Sequence, residues 1–197
     1  MPRTKQRTQE LRDRVLGQAV AVLAEDGLTG FTTRKVARRA ETSTAAVYEL
    51  FGDKGGLVRE VFLEGFRLLR RDLDQLESSD DPLGDLDSVV AGFRVFLRAN
   101  PVLAEVMFSR PFSDFAPGPP QAAAFAPLVE RVRRCLDAGL LAGDESDLVH
   151  VLVALVHGLA TEERYGWLGT AQASIDHRWA LAIRATLDGL RTHPAGT

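Results

Sequence analysis

Apolar residues return at three- and four-residue spacing through nearly every segment of this chain, and no run alternates with the two-residue period of a strand. A chain patterned this way buries its apolar surface helix against helix, so the sequence predicts an all-α architecture. Nine helices are expected, at residues 6–26, 33–40, 44–51, 55–77, 82–99, 101–109, 120–139, 144–167 and 174–192. Asp26 and Gly27 mark the end of the first, whose buried stripe is Leu11, Val15, Ala19, Val22 and Leu23, and the turn runs on to Gly30. The run SSDDP at residues 78–82 closes the fourth helix, and Pro82 suits the first turn of the fifth.

The 26 residues at 32–57 read TTRKVARRAETSTAAVYELFGDKGGL. Their first helix places Val36, Ala37 and Ala40 on one face and leaves Arg34, Lys35, Arg38 and Arg39 around the rest. After a turn at Glu41 and Thr42, Ser43 is the expected N-cap, because its hydroxyl can accept a bond from a backbone N–H one turn in. The second helix turns Val47, Leu50 and Phe51 inward, while Thr44, Ala45, Ala46, Tyr48 and Glu49 include the positions able to face outward. Small residues at its leading end suit a DNA major groove, which is about 12 Å wide and admits one helix.

On Thr33, Val36, Ala37, Ala40, Ser43, Ala46, Val47, Tyr48, Phe51, Lys54 and Leu57, this segment resembles the N-terminal domain of the TetR family of transcriptional repressors. The resemblance implies a three-helix DNA-binding domain over residues 1–54, with Thr33, Tyr48 and Lys54 holding phosphates. Arg34, Thr42, Ser43, Thr44, Ala45 and Glu49 complete the candidate DNA-binding set. Two positions depart from the family pattern. Glu41 stands where a turn glycine is common, and Leu50 where a histidine or tyrosine often precedes the phenylalanine.

Charge is divided in the way such a domain requires. Residues 1–59 carry 11 Lys+Arg against 7 Asp+Glu, whereas the rest carries 13 against 20, so the formal net of −3 conceals a basic head on an acidic body. Arg3, Lys5, Arg7, Arg12 and Arg14 open the chain; they can add phosphate or minor-groove contacts, or form an ordinary solvated tail. No apolar core of a secretory signal follows them and no apolar run reaches membrane-spanning length, so no membrane partner is expected. Cys135 is the only cysteine, which rules out an internal disulfide and points to the cytoplasm.

Residues 55–197 are expected to form a ligand-binding and dimerisation domain. The helix at 55–77, with Leu57, Val61, Phe62, Phe66, Leu69 and Leu73, would connect it to the head. The segments at 100–121 and around ALVHGLATEERYG resemble a C-terminal domain of one TetR subgroup, in which a Met-Phe-x-Arg-Pro motif, here at residues 107–111, precedes a His-Gly pair, here His157 and Gly158. Val156 stands where a tryptophan or similar residue is typical.

The helix at 144–167 is apolar nearly all round, so one protomer can hardly cover it. With the last helix it is expected to form a four-helix interface in a two-fold dimer, through Leu148, Val151, Leu152, Leu155, Trp179, Ile183 and Leu187. Two heads about 34 to 36 Å apart would then read a palindromic operator in double-stranded DNA. Phe93, Phe96, Met107, Phe108, Phe112, Phe125, His157, Thr161 and Trp167 are candidates for an apolar cavity holding a small-molecule effector. Core packing is the competing role for the aromatics, and His157 can equally bond backbone and water at a dimer seam.

His150, His157, His177 and His193 lack zinc-type spacing, and no nucleophile elbow, phosphate loop or partnered carboxylate pair is present. Neither a metal nor a cofactor is therefore expected, and the reading is a homodimeric repressor released by its ligand rather than an enzyme. Two rivals are a small-molecule-binding helical enzyme with a vestigial head, and a helical protein-interaction module. Turnover without DNA retention would favour the first, whereas steeply salt-dependent DNA affinity would count against the second.

Overall fold

The computed structural model describes residues 3–109 and 119–191, which fold into α1 (Arg3–Gly30), α2 (Thr33–Arg39), α3 (Thr44–Phe51), α4 (Lys54–Leu73), α5 (Pro82–Ala99), α6 (Pro101–Ser109), α7 (Pro119–Ala124), α8 (Ala126–Asp137), α9 (Glu145–Arg164) and α10 (Gln172–Gly189). Among these residues there is no strand beyond a single bridge between Leu141 and Arg191. Ten helices stand where the periodicity predicts nine, because the segment at 120–139 is split. Pro127 lies in the first turn of α8, and its ring neither donates the bond nor leaves the room that a continuous helix through Phe125 would need. The first helix is also interrupted where expected, since Gly27 takes φ 67° and ψ −176°.

The chain forms two compact units. The first comprises residues 1–68 and 100–123, with a core built from Val15, Ala19, Val22 and Leu23 of α1, Phe31, and the buried faces of α2, α3, α4 and α6. Phe62 and Phe66 on α4 meet edge to face at 5.1 Å, and Phe66 meets Phe108 of α6 at 5.8 Å in the same manner. Gly65 allows α6 this close, because a Cβ there would lie 2.5 Å from the Met107 sulfur.

In the second unit, residues 69–99 and 124–197, α5 packs on α8 and α9, α8 on α9, and α10 on α9. Asp85 is buried and closes the start of α5: it accepts from the Ser79 backbone N–H at 2.9 Å, from the Ser79 hydroxyl at 2.8 Å and from Arg134. Those bonds, the backbone one foremost, pull its pKa down to about 2. An unfolded aspartate titrates near 3.9, so this group contributes stability that is complete above that pH and lost as pH falls through about 2. Asp85→Asn is accordingly expected to melt below the parent at pH 6, with the gap narrowing as acid melting curves are taken from pH 5 towards pH 2.

A second, partly exposed charge cluster joins α5, α9 and α10. Arg94 pairs with both Glu163 oxygens at 3.0 and 3.1 Å and with Asp176 at 2.8 Å, while its guanidinium lies 4.6 Å over the Trp179 ring. Three groups sharing one cation fix the mutual register of these helices more than they add net stability. No helix among the described residues is long and apolar enough to cross a membrane, and none of their His, Cys, Asp and Glu side chains group in threes able to hold a metal ion.

Candidate nucleic-acid interface

Both helices of the reading motif begin on hydroxyl caps. Thr32 extends at φ −133° and its Oγ1 accepts from the Lys35 N–H at 3.2 Å; Ser43 does the same for the Ala46 N–H at 3.0 Å. Between them Glu41 adopts φ 51°, the left-handed conformation in which a glycine carries no steric cost. The turn forms despite the side chain because Thr42 N–H bonds the Ala37 carbonyl at 3.0 Å and Arg14 of α1 donates to the Ala40 carbonyl at 2.9 Å. Removing the strain with Glu41→Gly is expected to stabilise the protein by about 1 kcal/mol, read as a rise in Tm of about 2–4 °C for a chain of this size.

Val47 and Phe51 of α3 are buried, and the opposite face is open: Ala45, Tyr48 and Glu49 are exposed, with Thr44 partly so. This is the outward face that the spacing predicts. Thr42 is half-buried, while Arg34, Ser43 and Lys54 are exposed. Thr33, at the start of α2, is only 6% exposed as a residue.

The four basic residues of α2 are not equivalent. Lys35 pairs with Asp26 at 2.5 Å, and Arg39 grips both oxygens of Glu25 at 2.6 and 2.8 Å, so those two tie α2 to the end of α1. That bond lowers the pKa of Glu25. Arg34, Arg38 and Lys54 are exposed and make no ion pair among the described residues, which leaves them as available cations. The exposed Arg38 and the turn-holding Arg14 are two basic positions of this region that the candidate set omits. The signal was present in both: Arg38 lies one turn from Arg34, and Arg14 directly precedes the buried Val15.

A capped helix-turn-helix with an open, cation-flanked second helix, at the start of an otherwise helical chain, defines a DNA-binding regulator of the helix-turn-helix class. The chain belongs to the TetR family: residues 15–61 match the family model described as bacterial regulatory proteins, tetR family, and residues 86–186 match the tetracyclin repressor-like C-terminal domain. Among solved structures, a protein of unknown function from Rhodococcus sp. RHA1 is 27% identical, with a TM-score of 0.78 over 92% of this chain and 96% of that one. A TetR-family regulator from Shewanella sp. PV-4 shares the fold at 17% identity, TM-score 0.64, over 93% and 99% of the two chains. A TetR variant from Acinetobacter baumannii AYE in complex with minocycline does so at 20% identity, TM-score 0.66, over 89% and 93%. Curated proteins include no significant match.

The effector candidates are dispersed. In the second unit Phe93 and Phe96 are 2% exposed, and Phe93 meets Phe125 edge to face at 6.0 Å. His157 is half-buried, and burial holds its pKa below the ordinary value. The Thr161 hydroxyl donates back to the His157 carbonyl at 2.8 Å, a bond within α9. Trp167 stands 78% exposed just beyond α9. Met107 and Phe108 belong to the first unit, where Met107 is fully buried. Phe112 lies outside the described residues, as do Arg110 and Pro111 of the upstream motif.

The interface candidates divide in a similar way. Leu148, Leu152, Trp179, Ile183 and Leu187 are buried within the single chain, at 0 to 8% exposure. Their stripe is the one that packs inside the second unit. The surface left open carries Val151, Ala154 and Gly158 with the half-buried Leu155 on α9, and Ala180, Leu181 and Ala185 on α10.

Proposed function

We propose that the chain is a homodimeric repressor that holds a palindromic operator through two copies of α3 and lets go when a small effector occupies its C-terminal part. DNA binding is assigned to residues 1–54, effector binding and dimerisation to residues 55–197, and the compartment to the cytoplasm. The observation that carries the reading is the open Thr44, Ala45, Tyr48 and Glu49 face of α3, together with Arg34, Arg38 and Lys54, exposed on α2 and at the start of α4 with no ion pair among the described residues. Cations left unpaired beside an accessible helix suit phosphates, which give most of the affinity and set the docking register. Tyr48 and Lys54 are the proposed phosphate contacts; Thr44 and Ala45 set how closely the helix approaches, and Glu49 bears on base choice. Thr33 acts from its buried position as part of the first turn of α2.

The effector is assigned to residues 55–197 on the strength of the C-terminal family match and of the minocycline bound by the Acinetobacter relative. A ligand that favours one head separation over another by about 1 to 3 kcal/mol suffices to release DNA.

The test is to select bound sequences from random DNA and then measure affinity by fluorescence anisotropy for the parent and a Tyr48→Phe, Lys54→Ala double variant. The double variant is expected to bind about tenfold or more weakly, since each lost phosphate contact removes a favourable charge interaction. Equal affinity, with helical content and dimerisation unchanged, would overturn the assigned phosphate roles.

A further inference from the structure

A cleft of about 390 Å3 opens in the second unit between the end of α4 and the start of α8. Its apolar lining is Leu73, Leu76, Ala126 and Pro127, and its buried polar member is Arg131. Arg131 is 9% exposed and has no carboxylate partner among the described residues. Its one hydrogen bond runs from Nη2 to the Leu76 carbonyl at 3.1 Å, and its Nε has no acceptor. The other charges of the cleft are accounted for: Asp74 binds Arg70 at 2.7 Å and Glu130 pairs with Arg133 at 3.5 Å.

A guanidinium that is nine-tenths buried without a counter-ion is costly, and proteins resolve this by pairing it. Here no described residue supplies the partner, while a mixed lining, with Leu73, Leu76, Ala126 and Pro127 on its apolar side, leaves a space within the roughly 300–1,000 Å3 typical of small-molecule sites. We propose that this cleft binds a monoanionic carboxylate with a short hydrocarbon or aryl body, the carboxylate pairing with the fork of Arg131 and the body lying on Leu73, Leu76 and Pro127. A planar carboxylate matches a guanidinium edge. A phosphate dianion fits less well, because Asp74 and Glu130 line the same cleft and would repel the second charge. The assignment rests on the reading of residues 55–197 as the effector-binding part, and it narrows the effector to a carboxylic acid.

Full-length protein without DNA is titrated calorimetrically with octanoate and benzoate, and with octanol and benzyl alcohol as uncharged matches. Saturable binding of at least one carboxylate is expected, with its uncharged match about tenfold or more weaker, the factor of one charge-assisted hydrogen bond. Arg131→Gln loses the same factor. Ala126→Phe, which fills the cleft without touching the guanidinium, excludes the probe as well, and decides the matter if the arginine variant does not fold. The proposal is overturned if neither carboxylate binds saturably, if the alcohols bind as tightly, or if Ala126→Phe binds undiminished. Because no DNA is present, failure of the separate operator-binding measurement would remove the repressor reading and leave a positive titration intact.

Discussion

Arginine introduced at both Val151 and Leu181 is expected to split the protein into single chains and to lower operator affinity by about 10²–10⁴, the factor lost when a second linked head no longer binds from high effective concentration. The two positions are 44% and 53% exposed on α9 and α10, so the new charges meet water in the isolated chain and should leave its helical content untouched. In a dimer closed over this face, the same charges would face their symmetry copies across a dry surface, where like charges repel and lose hydration. Sedimentation should give the mass of one chain for the variant and of two for the parent. A variant that still sediments as two chains would place the partner on another surface.

Gly56→Ala should do comparable damage from inside the head. A Cβ at Gly56 would fall 1.9 Å from the Phe51 carbonyl oxygen, which is backbone at the end of α3 and cannot rotate away. Either α3 or the first turn of α4 must move. Overpacking of this severity costs about 3 kcal/mol, or about 6–12 °C in Tm for a chain of this size. Operator affinity should fall further than stability alone explains, because the displaced element carries the reading face. Gly65→Ala is the informative control. Its Cβ would meet side-chain atoms rather than backbone, the Met107 sulfur at 2.5 Å and Cγ at 2.7 Å, so α6 must repack but α3 need not move, and a loss of Tm with near-parental DNA binding per folded molecule is expected.

These contrasts explain which parts of the molecule were legible beforehand. The bounds of α3, its Ser43 cap and the burial of Val47 and Phe51 depend on neighbours within a few residues, and spacing alone located them. The split at Phe125 was missed because apolar periodicity continues across Pro127 and masks the lost backbone donor. Periodicity likewise selected the most apolar stripe of the last two helices as the interface. Of that predicted set, Leu152 and Ile183 pack within one chain, whereas Val151 stays exposed, a division that depends on tertiary packing and not on spacing. Arg131 was readable in principle: it falls on the buried face with Leu128, Val132 and Cys135, a place where an arginine needs a reason. The ion pairs of Lys35 and Arg39 with α1 depend on tertiary contact and left no local trace.

Those two ion pairs limit how many cations the head can exchange for bound counter-ions. Of the six positive side chains that the reading motif and α4 Lys54 would supply if all were free, including Arg14, which holds the turn, only Arg34, Arg38 and Lys54 remain uncommitted. In the proposed dimer these three cations per head give a thermodynamic valence of about six before any contribution from Arg3, Lys5 and Arg7, and the logarithm of the operator association constant should decline with the logarithm of sodium concentration at a gradient of about −5 or steeper. Releasing Lys35 by Asp26→Asn adds one cation per head and should steepen that gradient towards about −7.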